Sequence, residues 1–485
     1  MHVVPEGLSP SGFAKTWYKY QFSQAAAPPY ACFRPPVEPP RAVPASLVDP
    51  LFGRFLDAAG GPLSELPLDE LAAASAAAVA LCDTMPQHFA REAARQDALL
   101  RILSALLDER VAEFSPSPAS SGARTDGGLL VATGGKGSPM VDCMALLVEV
   151  KNELGARAGE PMVQGARTYE LFWAEPSRAS ICSRAGACPC LLLEVVGPLL
   201  RVHALALLPG GGVLAEPLTA ALNCLPLTGQ PRALDALVAT LAATRAAARE
   251  LGALYRAAGD TAQAAPRSPV AGGLAGAPLL PWPLRDAAAW TGAAHLGGAA
   301  AAGKLLYVAH GAAAAPPGVP PASRVCVKFA PACYGGDVHA AWAAAGLAPA
   351  LHAVERLPGG MHMVAMDLLS PTDGWQVLAL LMPKSPAAAA ARAAALTALA
   401  AAHSVALPGG ATRAAHGDCR GANVFVRAAR GGVTWEARFV DFDWSGTEGV
   451  ARYPPLMSAA VPWSPGARPG TLLAQAHDTD LLTRA

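Results

Sequence analysis

"HGDCRGANVFV", residues 416–426, sets a histidine, an aspartate and an asparagine in a short turn with two glycines, and strand formers follow at once. Such a turn predicts a loop that delivers polar side chains to the head of a strand. Asp418 and Asn423 stand five residues apart in it, in a chain where only 15% of residues are charged, so their pairing asks for a chemical reason. Two other segments belong with it. In "RFVDFDWSG" (438–446) a short strand carries Asp441 into a turn. In "RVCVKFA" (324–330) Lys328 is flanked by Val327 and Phe329, which predicts a lysine on a partly buried strand. An unpaired buried ammonium costs several kcal/mol. Lys328 therefore requires an anion, either a side chain or a ligand phosphate.

Phosphoryl transfer uses this set of parts. A strand lysine neutralises phosphate oxygens. An Asp and an Asn supply oxygens for Mg²⁺. A further carboxylate orients the attacking hydroxyl and takes its proton. An Asx-rich turn ahead of a strand explains "HGD" and "N" taken alone, but the three segments together favour one purpose.

In order and spacing, residues from about 290 onward resemble the protein-kinase-like superfamily. "HGDCRGANVFV" is similar to the catalytic loop HRDxxxxN, with Gly417 in the arginine position. "VDFDWSG" resembles the DFG segment, with Asp443 where glycine usually stands. "VCVKF" resembles the VAIK strand, "YGGDVHAAWAAAGLAPAL" the helix bearing the ion-pair acid, and "MVAMDLL" (363–369) the strand entering the adenine hinge. The resemblance implies a bilobal fold that binds ATP and Mg²⁺ and phosphorylates a hydroxyl of an unknown protein or small molecule. It implies that Lys328 meets the phosphates, Asp337 pairs with Lys328, and Asp418 is the catalytic base. Asn423 and Asp441 would be the Mg²⁺ ligands, and the backbone at Met366, Asp367 and Leu368 would meet adenine. His416 reads as a structural part of the loop, and Asp478 as an anchor for it or a solvent-exposed helix residue. His339 and Trp342 read as helix packing and a surface contact. The sequence departs from the family in three places. Asp337 replaces the usual Glu. "TGAAHLGGAAAAGKLLYVA" (291–309) lacks GxGxxG. After "DFDWSG" come only a loop, "YPPLMSAAVPW", and one short helix, so the large lobe is expected to be short. A pseudokinase acting as a binding module is the alternative.

Upstream, "LLVEVKNELG" (146–155) puts Glu149 and Lys151 on one face of an otherwise apolar strand. Asp126 opens the preceding strand run, with Asp142 as its alternative. A half-exposed strand accounts for the alternation. An Asp on one strand and E-x-K on the next also resembles the restriction-endonuclease-like nucleases. There the carboxylates bind Mg²⁺ and the lysine positions a water. Gln164 and Tyr169 fall on the following helix, where such folds add a contact. A nuclease-like region ahead of a kinase-like one resembles Crinkler-like proteins, and a Mg²⁺-dependent nuclease is the second alternative function.

The 485 residues carry zero formal net charge, which gives no electrostatic case for a nucleic-acid or membrane partner beyond a local patch. Nucleic acid enters only through the N-terminal domain. The start lacks an apolar stretch of signal-peptide length, and no window reads as a membrane span, so an intracellular protein, cytoplasmic or nuclear, is expected. The ten cysteines are scattered apart from "CSRAGACPC" (182–190), which lacks zinc spacing, so reduced thiols without metal are expected. The expected fold class is α+β in two domains. Residues 1–60 read as irregular and 61–257 as an α/β domain that resembles the restriction-endonuclease-like nucleases. A Pro/Gly/Ala-rich linker spans 258–285, and the kinase-like domain covers 286–485. Two helices split at Pro86, two strands, a helix at about 160–173, a β-meander and a long helix over 232–259 are expected within the first domain.

Overall fold

The computed structural model describes residues 30–31, 43–116, 124–134, 140–153, 160–208, 212–225, 231–260, 280–297, 304–331, 333–382, 385–408, 413–429 and 434–484. The chain is mixed α and β and divides into two compact units, Met1–Arg285 and Asp286–Ala485. Of the linker proposed from sequence, 261–279 lies outside the described residues, as do 1–29 and 32–42 of the N-terminal segment.

The described helices of the first unit begin with a single turn at Ala45–Val48, then α1 (Pro50–Gly60), α2 (Leu68–Thr84) and α3 (Glu92–Leu107). Residues 45–60, expected to be irregular, are therefore helical. Asp49 caps α1 by accepting from Leu51 N at 3.0 Å, and Pro50 sits in the first turn, where its missing N–H costs nothing. Leu51, Phe52 and Phe55 then fall on one buried face, a helical period that the surrounding prolines obscure in the sequence. The sheet follows: β1 (Gly127–Thr133), β2 (Val141–Lys151), helix α4 (Pro161–Trp173), a short helix α5 (Ala179–Ala185), then β3 (Cys190–Val196), β4 (Leu199–Leu208) and β5 (Gly212–Pro217). Helix α6 (Pro231–Gly259) packs against α1 and α2.

The sheet order is β5-β4-β3-β2-β1, with short strands Tyr30–Ala31 on β5 and Leu222–Asn223 on β4. All seven residues of β3 are buried, as its place between β2 and β4 demands. β2 and β3 are parallel, and α4 makes the crossover that a parallel pair requires. β1 runs antiparallel to β2 with Gly127 opposite Val148, which sets Asp126 beside the end of β2 that carries Glu149 and Lys151. The last residues of the expected linker belong to this unit. Trp282–Arg285 form a 3₁₀ turn, Trp282 Nε1 donates to Ser46 O at 3.2 Å, and Arg285 donates to Val48 O.

The second unit opens with an antiparallel sheet of β6 (Trp290–His295), β7 (Leu306–Gly311), β8 (Arg324–Pro331), β9 (Leu351–Arg356) and β10 (Met361–Asp367), in the order β9-β10-β8-β7-β6. Helix α7 (Gly336–Ala344) lies between β8 and β9 in the chain. After β10 come α8 (Pro386–His403), the hairpin β11 (Val424–Ala428) and β12 (Trp435–Phe439), and α9 (Gln475–Arg484). Ser385 caps α8 by accepting from Ala388 N at 3.1 Å. Along α8, Ala391, Ala395, Leu399 and Ala402 recur every three or four residues and are buried, so small side chains let the helix lie close on the hairpin. Trp342, expected at the surface, is fully buried in the same core with Phe439 and Phe442. Among the described residues no helix is long and apolar enough to cross a membrane.

Candidate functional site

Lys328 occupies the middle of β8, opposite Leu306 of β7 and Val364 of β10, and is 6% exposed. Its ammonium is paired, but not with the residue expected. Nζ donates to Asp441 Oδ1 and, at 2.5 Å, to Asp443 Oδ1. Asp337 lies exposed in the first turn of α7 and is not among these partners. The helix begins only at Gly336, so Asp337 sits at its start, where an acid suits the N-terminal dipole. The buried face of α7 instead presents His339 and Trp342. His339 Nε2 donates to Pro349 O at 2.9 Å, Nδ1 accepts from Tyr334 Oη at 2.7 Å, and the ring stacks on Phe442 with ring centroids 4.4 Å apart. Burial, outweighing its bond to Pro349 O, pulls the imidazole down to about 4, so it packs as a neutral ring at neutral pH.

Asp441 stands where β12 turns away, with φ +73°, a conformation uncommon outside glycine and best tolerated by Asp and Asn. Burial alone would raise its carboxyl. Lys328 on one oxygen and Lys304, 2.7 Å from Oδ2, overcome this and hold it well below the usual carboxylate range. Asp443 is raised, because burial and the Asp441 charge outweigh Lys328 there.

The loop 416–423 is fixed from beneath. Asp478, 1% exposed on α9, accepts from His416 N at 2.7 Å, Gly417 N at 2.8 Å and, at 3.3 Å, His403 Nε2. It is the anchor of the loop rather than a solvated helix residue. Gly417 has φ +82°, and a Cβ there would stand 3.2 Å from Trp444 Cβ, Trp444 O and Leu473 Cδ2, which accounts for glycine where the kinase pattern has arginine. His416 Nδ1 accepts from Asp418 N at 3.3 Å, so its Nε2 carries the proton and donates to Val440 O at 3.0 Å.

Asp418 is buried. Burial raises its carboxyl, against the pull of Arg420, whose Nε lies 2.9 Å from Oδ1. Asn423 Nδ2 donates to Asp418 Oδ2 at 2.8 Å and Asp418 O at 3.0 Å. Asn423 Oδ1 is thereby aimed elsewhere and is buried without a hydrogen-bond partner. A buried orphan oxygen fits a cation ligand. Asn423 and Asp441 together suit Mg²⁺, which takes one or two protein oxygens and fills its remaining positions from phosphates and water.

Lys304, Lys328, Asn423 and Asp441 meet at one cleft with about 720 Å³ of free space, part of it open to solvent, while Asp418 and Asp443 are not among the residues that line it. Lys304, Lys328, Asn423 and Asp441 form its polar wall, and Leu296, Leu306, Cys326, Val440 and the segment Met366–Leu369 its largely apolar one. Asp367 donates its backbone N–H to Ala350 O at 2.9 Å, while its carboxylate bonds His352 Nε2 at 2.8 Å. An apolar slot ending in two ammoniums and an Asp–Asn pair is complementary to a flat aromatic group carrying phosphates. Lys304 and Asp443 were not identified from sequence. Lys304 is hidden in an Ala/Gly tract, and Asp443 reads there as a glycine substitute.

In the first unit, Asp126, Glu149 and Lys151 also converge. Asp126 Oδ2 accepts from Val150 N at 2.8 Å and lies 3.5 Å from Lys151 Nζ. Glu92, at the start of α3, is likewise 3.5 Å from Lys151 Nζ and had no signal in the sequence. Glu149 is fully buried, and neither of its oxygens has a hydrogen-bond partner. Burial first, then the Asp126 charge, pushes its carboxyl well above the usual range. Lys151 is raised, because Asp126, Glu149 and Glu92 outweigh its burial. Gln164 is buried with Oε1 unpartnered. A Cβ on its neighbour Gly165 would stand 3.4 Å from Glu149 Cγ and 2.7 Å from Leu192 Cδ2, so the glycine lets α4 lie close over this spot. Tyr169 donates to Cys188 O at 2.5 Å and serves the core. Asp142, the alternative to Asp126, is exposed near the opposite end of β2 from Glu149. Among the described residues no group of three or more His, Cys, Asp or Glu is arranged to hold a metal ion.

Glu149 makes a pH prediction. Its folded carboxyl binds a proton more readily than the unfolded one, so stability is fully present below the ordinary Glu range and is lost as pH rises through the higher folded value. The loss is about 1.4 kcal/mol per pH unit at most over that window. Glu149→Gln is expected to flatten the fall in melting temperature between pH 5 and pH 8; parallel wild-type and variant curves would contradict it.

Compared with known proteins, the chain matches no family model, no curated protein and no solved structure.

Proposed function

We propose that the C-terminal unit is a protein-kinase-like phosphotransferase, passing the γ-phosphate of ATP to a hydroxyl of a protein or small molecule. The observation that carries this reading is the shared cleft: Lys328, Met366, Asp367, Leu368, Asn423 and Asp441, from four distant segments, line one cavity. Its apolar end suits adenine and the ammonium of Lys328 suits the phosphates. Asn423 Oδ1 and Asp441 would hold Mg²⁺, which when bound would neutralise phosphate charge. Asp418, raised by burial, is suited to take the proton of the attacking hydroxyl as the oxygen bonds to phosphorus and ADP leaves. The Asn423 amide and Arg420 hold that carboxylate in place.

Calorimetry with Mg²⁺ and ATP tests the reading on wild type and Asp441→Asn. Wild type is expected to bind, and the variant to bind about tenfold more weakly or worse, the scale of a lost charge-assisted contact. A folded wild type that binds no ATP sinks the reading. Binding without transfer to any hydroxyl would instead support the binding-module alternative.

The convergence of Asp126, Glu149 and Lys151 favours a second reading, for the N-terminal unit: Mg²⁺-dependent hydrolysis of nucleic-acid phosphodiesters, with the carboxylates toward the cation and Lys151 toward the attacking water. Cleavage of plasmid DNA or RNA by wild type but not by Lys151→Ala is the expected result. Cleavage unaffected by that change would assign it elsewhere.

A further inference from the structure

The cleft contains a second ammonium with no role in the phosphotransfer reading as stated. Lys304 Nζ caps Asp441 Oδ2 at 2.7 Å while Lys328 caps Oδ1, so both oxygens of Asp441 face lysine. The two lysines are held unequally. Lys328 is buried in mid-strand and also bound to Asp443. Lys304 precedes β7, and its side chain is 38% exposed. Leu306 is paired with Lys328 in the sheet, so Lys304, two residues earlier, reaches the cleft from the same side.

We infer that Lys304 is a phosphate-binding residue, resting on Asp441 and transferring its ammonium to the phosphates when a nucleotide enters. This deepens the ATP reading and rests on it. A cation held by Asp441 needs one of the oxygens now capped, and two cations at one oxygen repel. The less tethered lysine is the one to move. Its flexible four-carbon stem lets the ammonium stay in the cleft, where a polyphosphate carries more negative charge than the carboxylate it leaves. The sequence between β6 and β7 has no GxGxxG whose backbone N–H groups would cradle phosphates, and an ammonium supplies that interaction instead.

The test is calorimetry on the full chain with Mg²⁺ and, separately, ATP, ADP and adenosine, using wild type, Lys304→Ala and Lys304→Arg. Lys304→Ala is expected to weaken ATP and ADP about tenfold or more, to leave adenosine unchanged, and to be largely rescued in Lys304→Arg. ATP binding equal to wild type in Lys304→Ala overturns the inference and leaves the ATP reading standing. Parallel loss of adenosine and ATP also overturns it, because the residue would then support the shape of the cleft. A wild type that binds no ATP overturns both.

Discussion

Asp478→Ala is expected to lower the unfolding free energy of the C-terminal unit by about 3–5 kcal/mol, the range for removing one partner of a buried charged network. Asp478 is 1% exposed and accepts two backbone N–H groups, from His416 and Gly417, besides its contact with His403. Alanine would leave both amides buried without acceptors, at about 1–3 kcal/mol each. The φ of +82° at Gly417 makes the loss harder to absorb, since the turn has few other conformations that keep Trp444 and Leu473 in contact. Urea melts of wild type, Asp478→Ala and Asp478→Asn test this. The asparagine variant keeps one acceptor oxygen and is expected to fall between the others. An alanine variant as stable as wild type would mean that the loop is not held from α9.

Lys328→Met is expected to cost a comparable amount, about 3–5 kcal/mol, for the opposite reason: it strips Asp443 of its ammonium beside Asp441, which keeps only Lys304. Lys328 touches both Asp441 and Asp443, and the three side chains are largely buried. Asp443 is already raised by burial and by Asp441 with the lysine present, and losing the ammonium pushes it further. A folded pKa above the unfolded one gives stability that is present at low pH and lost as pH rises past the ordinary carboxylate range. The deficit of Lys328→Met is therefore expected to be smaller at pH 5 than at pH 8. Adding Asp443→Asn should recover part of it at pH 8. A deficit that ignores both pH and the second change would mean the methionine acts through packing alone.

The parts of the cleft that stand out in the sequence are those chemistry forces into improbable company. A lysine between Val327 and Phe329, or Asp418 and Asn423 ahead of "VFV", contradicts its apolar surroundings and so announces a purpose. The helices around Pro86 and the meander over 190–217 are legible for a simpler reason, since their apolar periods run unbroken. What stayed hidden depends on tertiary placement. The ion-pair partner of Lys328 is decided by where α7 starts, one residue before Asp337, and no local pattern fixes that. Asp443 looks like a mere substitution in the "DFD" turn until β8 is laid beside it. Lys304 has only alanine and glycine before it, so no period marks the face it occupies. Residues 45–60 were obscured by neighbouring prolines, although Pro50 is a helix starter once Asp49 caps it. Glu92 opens an amphipathic helix like any first-turn acid, and only the fold brings it to Lys151.

The imidazole of His416 joins Asp418 N to Val440 O, and Val440 N in turn bonds Asn423 O at 3.0 Å. Kinematically, that makes the floor of the cleft a single linkage: Asp418, Asn423 and Asp441 are bolted to one another through two crossbars and to α9 through Asp478. Lys304 and Lys328 ride on the sheet instead. Every lysine-to-carboxylate distance in the cleft is then set by one placement, that of the sheet against this floor, and Gly335 N, donating to Phe442 O at 2.9 Å, ties the segment after β8 to it.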